Sequence, residues 1–451
     1  MAGSKTMDLT KGSVTKQILL FALPIMLGNI LQQLYNIADR VVVGQFAENG
    51  ELGLAAIGAT GSATYLVIGL FTGMAVGVNV LCANLLGARN EKDLRKSMHT
   101  AVLVALICGI FVGLFGLLLT GGILRLLATP AEVFDQSALY MRLYFTGVPA
   151  SLLYNFGAGI LNAHGDTKRP MVILLVSGLI NVVLNIIFVV VFKRGVDGVA
   201  MATVISQIVS AVVVLKILFD PKDQYALRVK ELKIHKNQLF TIIRIGVPSG
   251  FGGVVFSISN VIIQSSVNSF NSAAIIAGRT IALDINNLIY QIQCSLFATC
   301  VSFSGQCYGA GEYKRIDSLA LKATLLCLGG YLICAIVCTL FPDSIVGLFN
   351  SNEEVLAVGK MILLISCWGN LLYGPSEMFI GCLRGMRYGM LPTMLNLLGV
   401  CLPRLLWVWF VFPLKRTVFV LMLCYPISWL FSSLVQGTCY WIVRRKQMKM
   451  A

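Results

Sequence analysis

A carboxylate inside an apolar stretch is the residue of this chain with the clearest chemical potential. Residues 17–46 are long and apolar enough to cross a bilayer, which takes about 20 residues. Asp39 lies within this stretch, where a charged side chain costs roughly 2.5 to 3.5 kcal/mol. Intervals of three or four residues put other polar side chains on the same helix face: Asn29, Gln32 and Asn36. The cost predicts that this face meets water, a partner or a ligand, where Asp39 can exchange a proton or hold a cation. The alternative is an acid at the outer membrane interface, neutralised by Arg40.

The same segment contains a residue that bends helices. Pro24 lies fifteen residues before Asp39, and proline removes one backbone hydrogen bond and clashes with the preceding turn. We therefore expect a transmembrane helix with a hinge at Pro24. Gln32, Tyr35 and Asn36 are then expected to line a substrate cavity beside Asp39.

Two further acids lie in apolar segments, and each has two interpretations. Glu377 either forms a structural ion pair with Arg404 or faces the cavity, in substrate binding or a second coupling step. Asp284 either pairs with Arg279 or faces the cavity. Because acids within a membrane usually mark function, we take Asp284 and Glu377 as candidate cavity residues.

The composition places these residues in an all-α integral membrane protein. Of the 451 residues 57% are hydrophobic and 12% are charged, whereas soluble domains carry about 25% charged residues. Mean hydropathy is +0.82. Twelve transmembrane helices are predicted, near 17–46, 53–81, 97–120, 137–161, 170–192, 198–219, 241–270, 278–307, 318–341, 355–382, 391–413 and 418–442.

The distribution of charge predicts the topology. An even number of spans puts both termini on one side, and Lys and Arg collect in the loops of that side, which is therefore the cytoplasm. The net charge of +15 follows from these dispersed loops beside apolar helices, so the lipid bilayer is the expected partner and nucleic acid is not. We expect a monomer.

The two halves of the chain share a pattern. A cytoplasmic linker at 220–240 separates an N-lobe, 1–219, from a C-lobe, 241–451, each with six predicted spans. An offset of 224 residues relates Pro24 to Pro248. Further pairs at this offset or at 222 are Asn36 with Asn260, Gly159 with Gly381, and Pro170 with Pro392. Six spans per unit predict two parallel repeats around a central cavity.

The seventh span repeats the polar face of the first without its acid. Asn260, Gln264 and Asn268 follow at intervals of four, and Ile263 stands at the position that matches Asp39. We take Asn260 and Gln264 as further cavity residues.

Several kinds of chemistry are excluded by missing motifs. The chain has no GxxxxGK[ST] loop for ATP and no HExxH zinc motif, so we expect neither an enzyme nor an ATP-driven pump. Thirteen cysteines form no regular CxxC pairs. His99, His164 and His235 are scattered, and we expect them to be solvated loop residues rather than metal ligands. No cofactor or bound metal is expected, apart from H⁺ or Na⁺ as coupling ion at Asp39.

Four segments together resemble the multidrug and toxic compound extrusion (MATE) family, closest to its prokaryotic DinF-like and NorM-like branches. They are LPIMLGNILQQLYNIADRVVVGQF, GARNEKDLRKS, GAGILNAHGDTKRPM and GCLRGMRYGMLPTM. The resemblance implies a twelve-helix antiporter of two six-helix lobes that exports mainly cationic organic compounds against H⁺ or Na⁺. It also implies a prokaryotic plasma membrane.

The resemblance also implies a cation site in the N-lobe. The coupling acid of the family stands at Asp39, and its further site residues match Asn181, Asn185 and Thr203. Several relatives have Asp where this chain has Asn185, which puts a two-carboxylate Na⁺ site in doubt. The alternative role for these polar groups is interhelical hydrogen bonding.

A different transport function is the alternative to efflux. A lipid-linked precursor flippase of the same wider superfamily would need a basic cavity for phosphate headgroups and usually further spans. Embedded acids outnumber obvious embedded bases in this sequence, which disfavours the flippase.

Overall fold

The computed structural model describes residues 7–47, 50–127, 129–222 and 226–450, with side chains except at 62–68, 70–71, 254–256, 258 and 448–450. All regular structure in these ranges is helical. The twelve long helices are α1 Val14–Phe46, α2 Gly50–Gly87, α3 Glu91–Leu126, α4 Ala131–Ala163, α5 Lys168–Val191, α6 Val196–Leu218, α7 Lys236–Asn268, α8 Ala273–Gly309, α9 Tyr313–Leu340, α10 Glu353–Gly385, α11 Met390–Leu414 and α12 Val418–Gln447. The predicted all-α, twelve-helix membrane fold is confirmed.

Several helices extend beyond their apolar spans because polar residues cap them. Eight of the helices in the described part of the chain are long and apolar enough to cross a membrane by length and composition. At the start of α3, Asn90 Oδ1 accepts a hydrogen bond from the backbone N–H of Asp93 at 3.1 Å. At the start of α10, Asn352 Oδ1 accepts from the N–H of Glu354 at 3.0 Å. Such caps satisfy the free N–H groups of a first turn, so each helix begins before its apolar part.

The first helices of the two halves repeat at an offset within two residues of the 224 that separates Pro24 from Pro248 in the sequence. Val14–Phe46 and Lys236–Asn268 begin and end 222 residues apart. The turn after α2 and the turn after α8 both use a left-handed residue, Arg89 (φ 53°) and Gly311 (φ 76°), again 222 residues apart. A non-glycine residue in this region is uncommon, so a shared turn conformation at both positions supports the internal repeat.

By packing, the chain divides into two units, and the division falls inside two helices. We call residues 7–8 with 23–250 the N-terminal unit, and residues 9–22 with 251–450 the C-terminal unit. The borders lie two residues from Pro24 in α1 and from Pro248 in α7. The sequence predicts the border between the lobes at the linker 220–240 instead, because this linker is the extended polar interval of the chain.

In the N-terminal unit, the first half of α7 packs closely on α2. A Cβ on Gly73 would lie 2.2 Å from the backbone nitrogen of Gly250, and one on Gly77 would lie 2.5 Å from the carbonyl oxygen of Ile242. Glycine therefore lets two backbones approach, as is common between membrane helices.

In the C-terminal unit, Arg315 at the start of α9 holds the segment that precedes α1. Its Nε donates to the Leu9 carbonyl at 2.8 Å, and its Nη1 donates to the Gly12 carbonyl at 2.8 Å. The backbone N–H of Leu9 donates to Gln306 Oε1 at 2.9 Å. These bonds attach residues 9–12 to this unit.

Candidate functional site

The acid of α1 meets an amide of α5 in the N-terminal unit. Asn185 is fully buried and donates its side-chain N–H to Asp39 Oδ1. Asn185 Nδ2 also lies 3.3 Å from Asn181 Oδ1, one helical turn earlier. The spacing of four residues places both amides on one face of α5, and that face is turned toward Asp39.

The hydrogen bonds continue from α5 to α6. Asn181 Nδ2 donates to Thr203 Oγ1 at 3.4 Å, and the Thr203 hydroxyl donates to the Val199 carbonyl at 3.0 Å. The structure thus joins the acid and the three polar residues matched by the resemblance through consecutive side-chain contacts. We call this series the polar chain, in the order Asp39, Asn185, Asn181 and Thr203. Their role in cation coupling stays a prediction.

The local backbone changes at this chain of polar groups. The last turns of α5, Ile186–Val191, are π-helical and begin directly after Asn185. π-Helical turns are rare and occur often at functional sites. They widen the helix next to the amide that contacts Asp39.

A tyrosine sets the position of α1 on α5. Tyr35 donates its hydroxyl to the Leu175 carbonyl at 3.2 Å. A Cβ on Gly178 would lie 1.7 Å from Tyr35 Cε2, so the ring occupies the space that glycine leaves. Predicted as a cavity residue, Tyr35 is half-buried in this helix contact, while Gln32 and Asn36 are exposed.

Two aromatic residues of α4 were not predicted from the sequence as part of this site. Tyr140 of α4 packs against a buried cluster that includes Val42 and Val43 of α1, and Tyr144 follows one helical turn later. Their rings stack with centroids 6.2 Å apart, as their spacing of four residues allows. The spacing of four residues was the only feature of the sequence that singled out these two tyrosines. It does not show which helix α4 packs against.

The oxygen atoms around Asp39 suit a hard cation or a proton. Carboxylate, amide and hydroxyl oxygens are the ligands that hard cations prefer. Asn185 Oδ1 is buried and has no hydrogen-bond partner among the described residues. An amide donates with its nitrogen and accepts with its oxygen, so Asn185 can serve both an ionised and a protonated Asp39. In the described residues no group of three or more His, Cys, Asp or Glu is placed to hold a metal ion.

A second polar cluster lies in the C-terminal unit. Arg404 is 1% exposed and donates through Nη1 to Asn260 Oδ1 at 3.2 Å and through Nε to Ser428 Oγ at 3.1 Å. Arg279 donates to Gln264 Oε1. The predicted cavity residues Asn260 and Gln264 of α7 are therefore held by two buried arginines.

Comparison with known proteins identifies the family of this chain. A family model described as MatE matches residues 24–187 and 248–409. The chain belongs to the MatE family. The two matched segments correspond to the two predicted repeats, and the resemblance noted from the sequence is confirmed.

This MatE protein is similar over most of its length to bacterial proteins. It is 29% identical to the probable multidrug resistance protein YoeA of Bacillus subtilis, over 88% of this chain and 86% of that protein. It is 23% identical to the multidrug export protein MepA of Staphylococcus aureus, over 86% and 85% of the two chains. MatE is a family of transporters.

Solved structures share the fold of this MatE protein. A MOP superfamily transporter from Pyrococcus furiosus superposes with a TM-score of 0.92 at 22% identity, over 99% of this chain and 100% of that one. An outward-facing multidrug resistance MATE family transporter gives the same TM-score and identity over all of both chains. At this identity the likeness shows the fold alone.

The two embedded acids of the C-terminal unit of this MatE protein lie in different surroundings. Glu377 accepts a hydrogen bond from the Tyr373 hydroxyl at 2.6 Å. Arg404 donates to Asn260 of α7 and to Ser428 of α12, and the role of Glu377 stays a prediction. Asp284 is exposed.

The prediction that the histidines are solvated is wrong for two of them. His99 is 2% exposed and His164 is 6% exposed. His99 Nδ1 lies 2.7 Å from the Arg95 carbonyl, and its Nε2 accepts the backbone N–H of Arg228 at 3.0 Å. The linker therefore folds onto α3 and buries His99, which a loop pattern in the sequence does not reveal.

Proposed function

We propose that this MatE protein is a secondary active efflux antiporter. It exports organic, mainly cationic compounds in exchange for H⁺ or Na⁺ by alternating access. The observation that carries the proposal is the contact between Asp39 and Asn185 inside a transmembrane helix pair. The multidrug names of YoeA and MepA support the substrate class.

Coupling requires that ion and substrate prefer different states or compete for one site. Asp39 is the one carboxylate of the polar chain, beside two amides and one hydroxyl, so a single positive charge neutralises it. When Asp39 is ionised, Asn185 donates to it. When a proton or Na⁺ occupies the carboxylate, rotation of the Asn185 amide presents Oδ1 instead.

The change at Asp39 acts on α1 through Pro24, which lies in the same helix. Pro24 removes one backbone hydrogen bond from α1 and lies beside the border between the two packing units. A hinge there lets the half of α1 that carries Asp39 move separately from the first half. We propose Gln32 and Asn36, exposed on the same helix, as substrate-binding residues of the N-terminal unit. For the C-terminal unit we propose Asn260, Gln264, Asp284 and Glu377.

The proposal also includes the location, orientation and oligomeric state of the protein. The protein spans a prokaryotic plasma membrane many times, has both termini in the cytoplasm, and works as a monomer without a cofactor. The basic clusters of alternate loops support this orientation.

The test follows a fluorescent organic cation in a host that lacks its own pumps. A pH gradient and a Na⁺ gradient are imposed separately, on wild type and on Asp39→Asn at equal expression. We expect wild type to export dye under one of the gradients and Asp39→Asn to export none under either. Asp135→Asn, which neutralises an exposed acid of the same unit, is the matched control and keeps the wild-type rate.

Normal transport by Asp39→Asn under both gradients would contradict the coupling role of Asp39. A wild type that moves no dye, yet is folded, would contradict the substrate class. The lipid-linked precursor flippase is then tested with a labelled lipid-linked sugar.

A further inference from the structure

A buried histidine of α3 holds the linker through two backbone groups. His99 is 2% exposed, and its Nδ1 lies 2.7 Å from the carbonyl oxygen of Arg95, one turn earlier on the same helix. Its Nε2 accepts the backbone N–H of Arg228 in the linker at 3.0 Å. All three residues belong to the N-terminal unit. The imidazole ring therefore bridges α3 and the linker.

Only one form of the His99 ring satisfies both contacts. A carbonyl oxygen can only accept a hydrogen bond, so Nδ1 must carry a proton, and a backbone N–H can only donate, so Nε2 must carry none. The neutral ring protonated at Nδ1 meets both conditions. A charged imidazolium has N–H groups at both nitrogens, and its second N–H would point at the Arg228 N–H. Protonation of His99 therefore replaces a hydrogen bond by two opposed donors.

The other histidine of this contact tolerates a proton. His235 Nδ1 lies 3.3 Å from Thr100 Oγ1, and the His235 backbone N–H donates to the same oxygen at 3.1 Å. A hydroxyl can rotate and act as donor or acceptor, so Thr100 can donate to a neutral ring or accept from a charged one. In the second case the carbonyl oxygen of Lys233, 3.4 Å from Thr100 Oγ1, is the alternative acceptor. The two histidines thus differ in sensitivity because their partners differ.

The charged side chains of the elements around His99 are mostly basic. On α3, Asp93 pairs with Lys96 at 2.9 Å, and in the linker Glu231 pairs with Arg228 at 3.3 Å. The other charged residues of 91–98 and 226–236 are Glu91, Lys92, Arg95, Lys230, Lys233 and Lys236. The ends of α2, α4, α5 and α6, which share a buried cluster with α3, add Arg89, His164, Lys168, Lys216 and the pair of Asp166 with Arg169 at 3.1 Å. Bases outnumber acids among these groups, so they do not favour a further positive charge.

The linker is anchored on both sides of Arg228. Leu227 is 3% exposed, belongs to a buried apolar cluster with residues of α3, and donates its backbone N–H to the Leu218 carbonyl at 2.8 Å. At the other side, His235 contacts Thr100 and is followed directly by α7. Loss of the contact at Arg228 therefore frees residues 228–234 between two anchors rather than the whole linker.

We propose that the contact between His99 and Arg228 is a proton-sensitive fastening of the linker. The neutral ring holds Arg228, and the protonated ring releases residues 228–234. Histidine side chains change charge between about pH 5 and pH 8. Because the released form binds the extra proton, the fastening is complete at the upper end of this range and is lost as the pH falls. In the proposed orientation the linker meets the cytoplasm, so the fastening responds to cytoplasmic pH.

The test compares two neighbouring amides by hydrogen–deuterium exchange of the purified full-length protein in detergent. Mass spectrometry with electron-transfer fragmentation resolves Arg228 and Leu227 at pH 7.5 and pH 5.5, and each rate is divided by the rate of the unfolded chain. Exposed carboxylates stay largely ionised in this window. In wild type we expect the protection of Arg228 to fall at least about fivefold relative to Leu227, as for a lost hydrogen bond. The partner of Leu227 is a carbonyl, which does not titrate.

Three variants assign the response to one ring. His99→Gln keeps a side-chain acceptor that takes up no proton in this window, and we expect it to remove the pH dependence at Arg228. His235→Gln and His164→Gln replace the other two histidines of the chain and are expected to keep it. Thermal unfolding followed by tryptophan fluorescence shows whether each variant is folded.

If His99→Gln does not fold, nitrogen NMR of the wild type carries the test. With ¹⁵N-labelled histidine the chain gives signals from three rings, and His235→Gln and His164→Gln assign two of them. We expect the His99 ring to carry its proton on Nδ1 at pH 7.5. We also expect it to become charged over the same pH range in which Arg228 loses protection.

Three outcomes overturn the proposal. An equal change in protection of Arg228 and Leu227 in wild type would show that no titrating group fastens the linker. A pH response retained in folded His99→Gln would assign it to another group. A neutral His99 ring with its proton on Nε2 at pH 7.5 would contradict the contact with the Arg228 N–H. None of these outcomes depends on whether the protein transports dye.

Discussion

Asn185 donates its side-chain N–H to the carboxylate of Asp39, and thereby joins two helices whose residues are 146 positions apart in the chain. The amide is fully buried, and its other atom, Oδ1, has no partner among the described residues. A buried hydrogen bond to a charged group is stronger than one between neutral groups. The state of Asp39 is therefore tied to the packing of α1 on α5.

Exchanging the amide for an acid tests this relationship. Asn185→Asp puts a second carboxylate against Asp39, and two adjacent carboxylates are stable together only if a cation or a shared proton lies between them. We expect dye efflux by this variant to be stimulated by Na⁺ at least about fivefold, the lower range of coupling between two sites. Efflux is measured in vesicles with Na⁺ varied at constant pH.

The double variant Asp39→Asn with Asn185→Asp is the control for that experiment. It keeps one carboxylate and one amide and exchanges their helices. Recovery of part of the efflux lost in Asp39→Asn is expected. If Asn185→Asp shows the same Na⁺ response as wild type, the amide at 185 has no part in choosing the ion.

Gly178 is predicted to be required for the contact between α1 and α5. Gly178→Ala adds a methyl group that would lie 1.7 Å from Tyr35 Cε2, so the ring must move, at a cost of about 1 to 3 kcal/mol of unfolding free energy. We expect a lower melting temperature and slower efflux. Gly121→Ala, where nothing lies within 4 Å, is the control in α3 and should be neutral or stabilising.

A double variant separates sterics from other effects at this position. Tyr35→Ala together with Gly178→Ala should be less destabilised than the sum of the two single changes, since the clash is removed. Additive losses would show that Gly178 does not act through Tyr35.

Pro24 is predicted to act on transport and not on stability. Pro24→Ala restores a backbone N–H and relieves the clash, which favours a straight helix by up to about 3 kcal/mol. We expect an unchanged or raised melting temperature together with slower efflux. Pro149→Ala, in α4 and far from either unit border, serves for comparison, and an equal effect of both variants on efflux would argue against a hinge at Pro24.

His99 is predicted to fasten the linker to α3. His99→Ala leaves the Arg228 N–H without its acceptor and should cost about 1 to 3 kcal/mol of unfolding free energy. The linker should then be cut faster by trypsin, as read from the fragments on a gel. His235→Ala removes a partly exposed ring that lies 3.3 Å from the Thr100 hydroxyl, and a smaller effect is expected. Equal cutting of wild type and His99→Ala would rule out this role.

The C-terminal unit buries more positive charge than the sequence alone indicates. The sequence suggests Arg279 and Arg404 only as partners of Asp284 and Glu377. In the structure, these arginines donate hydrogen bonds to Gln264 and Asn260. Both arginines are buried, so this unit contains more embedded positive charge than the disfavouring of a flippase assumes.

The sequence by itself determined the membrane class, the twelve helices and the repeat, and it marked Asp39 as a candidate residue. These follow from local properties, because apolar length, helical spacing and a constant offset can be read along the chain. Only the tertiary structure decided which groups meet. The pairing of Asp39 with Asn185, of Arg404 with Asn260, and of His99 with the backbone of Arg228 joins residues 146, 144 and 129 positions apart. Such pairs depend on how each helix is rotated about its axis and on where the linker packs, and these are set by side-chain packing across the unit rather than by any single segment.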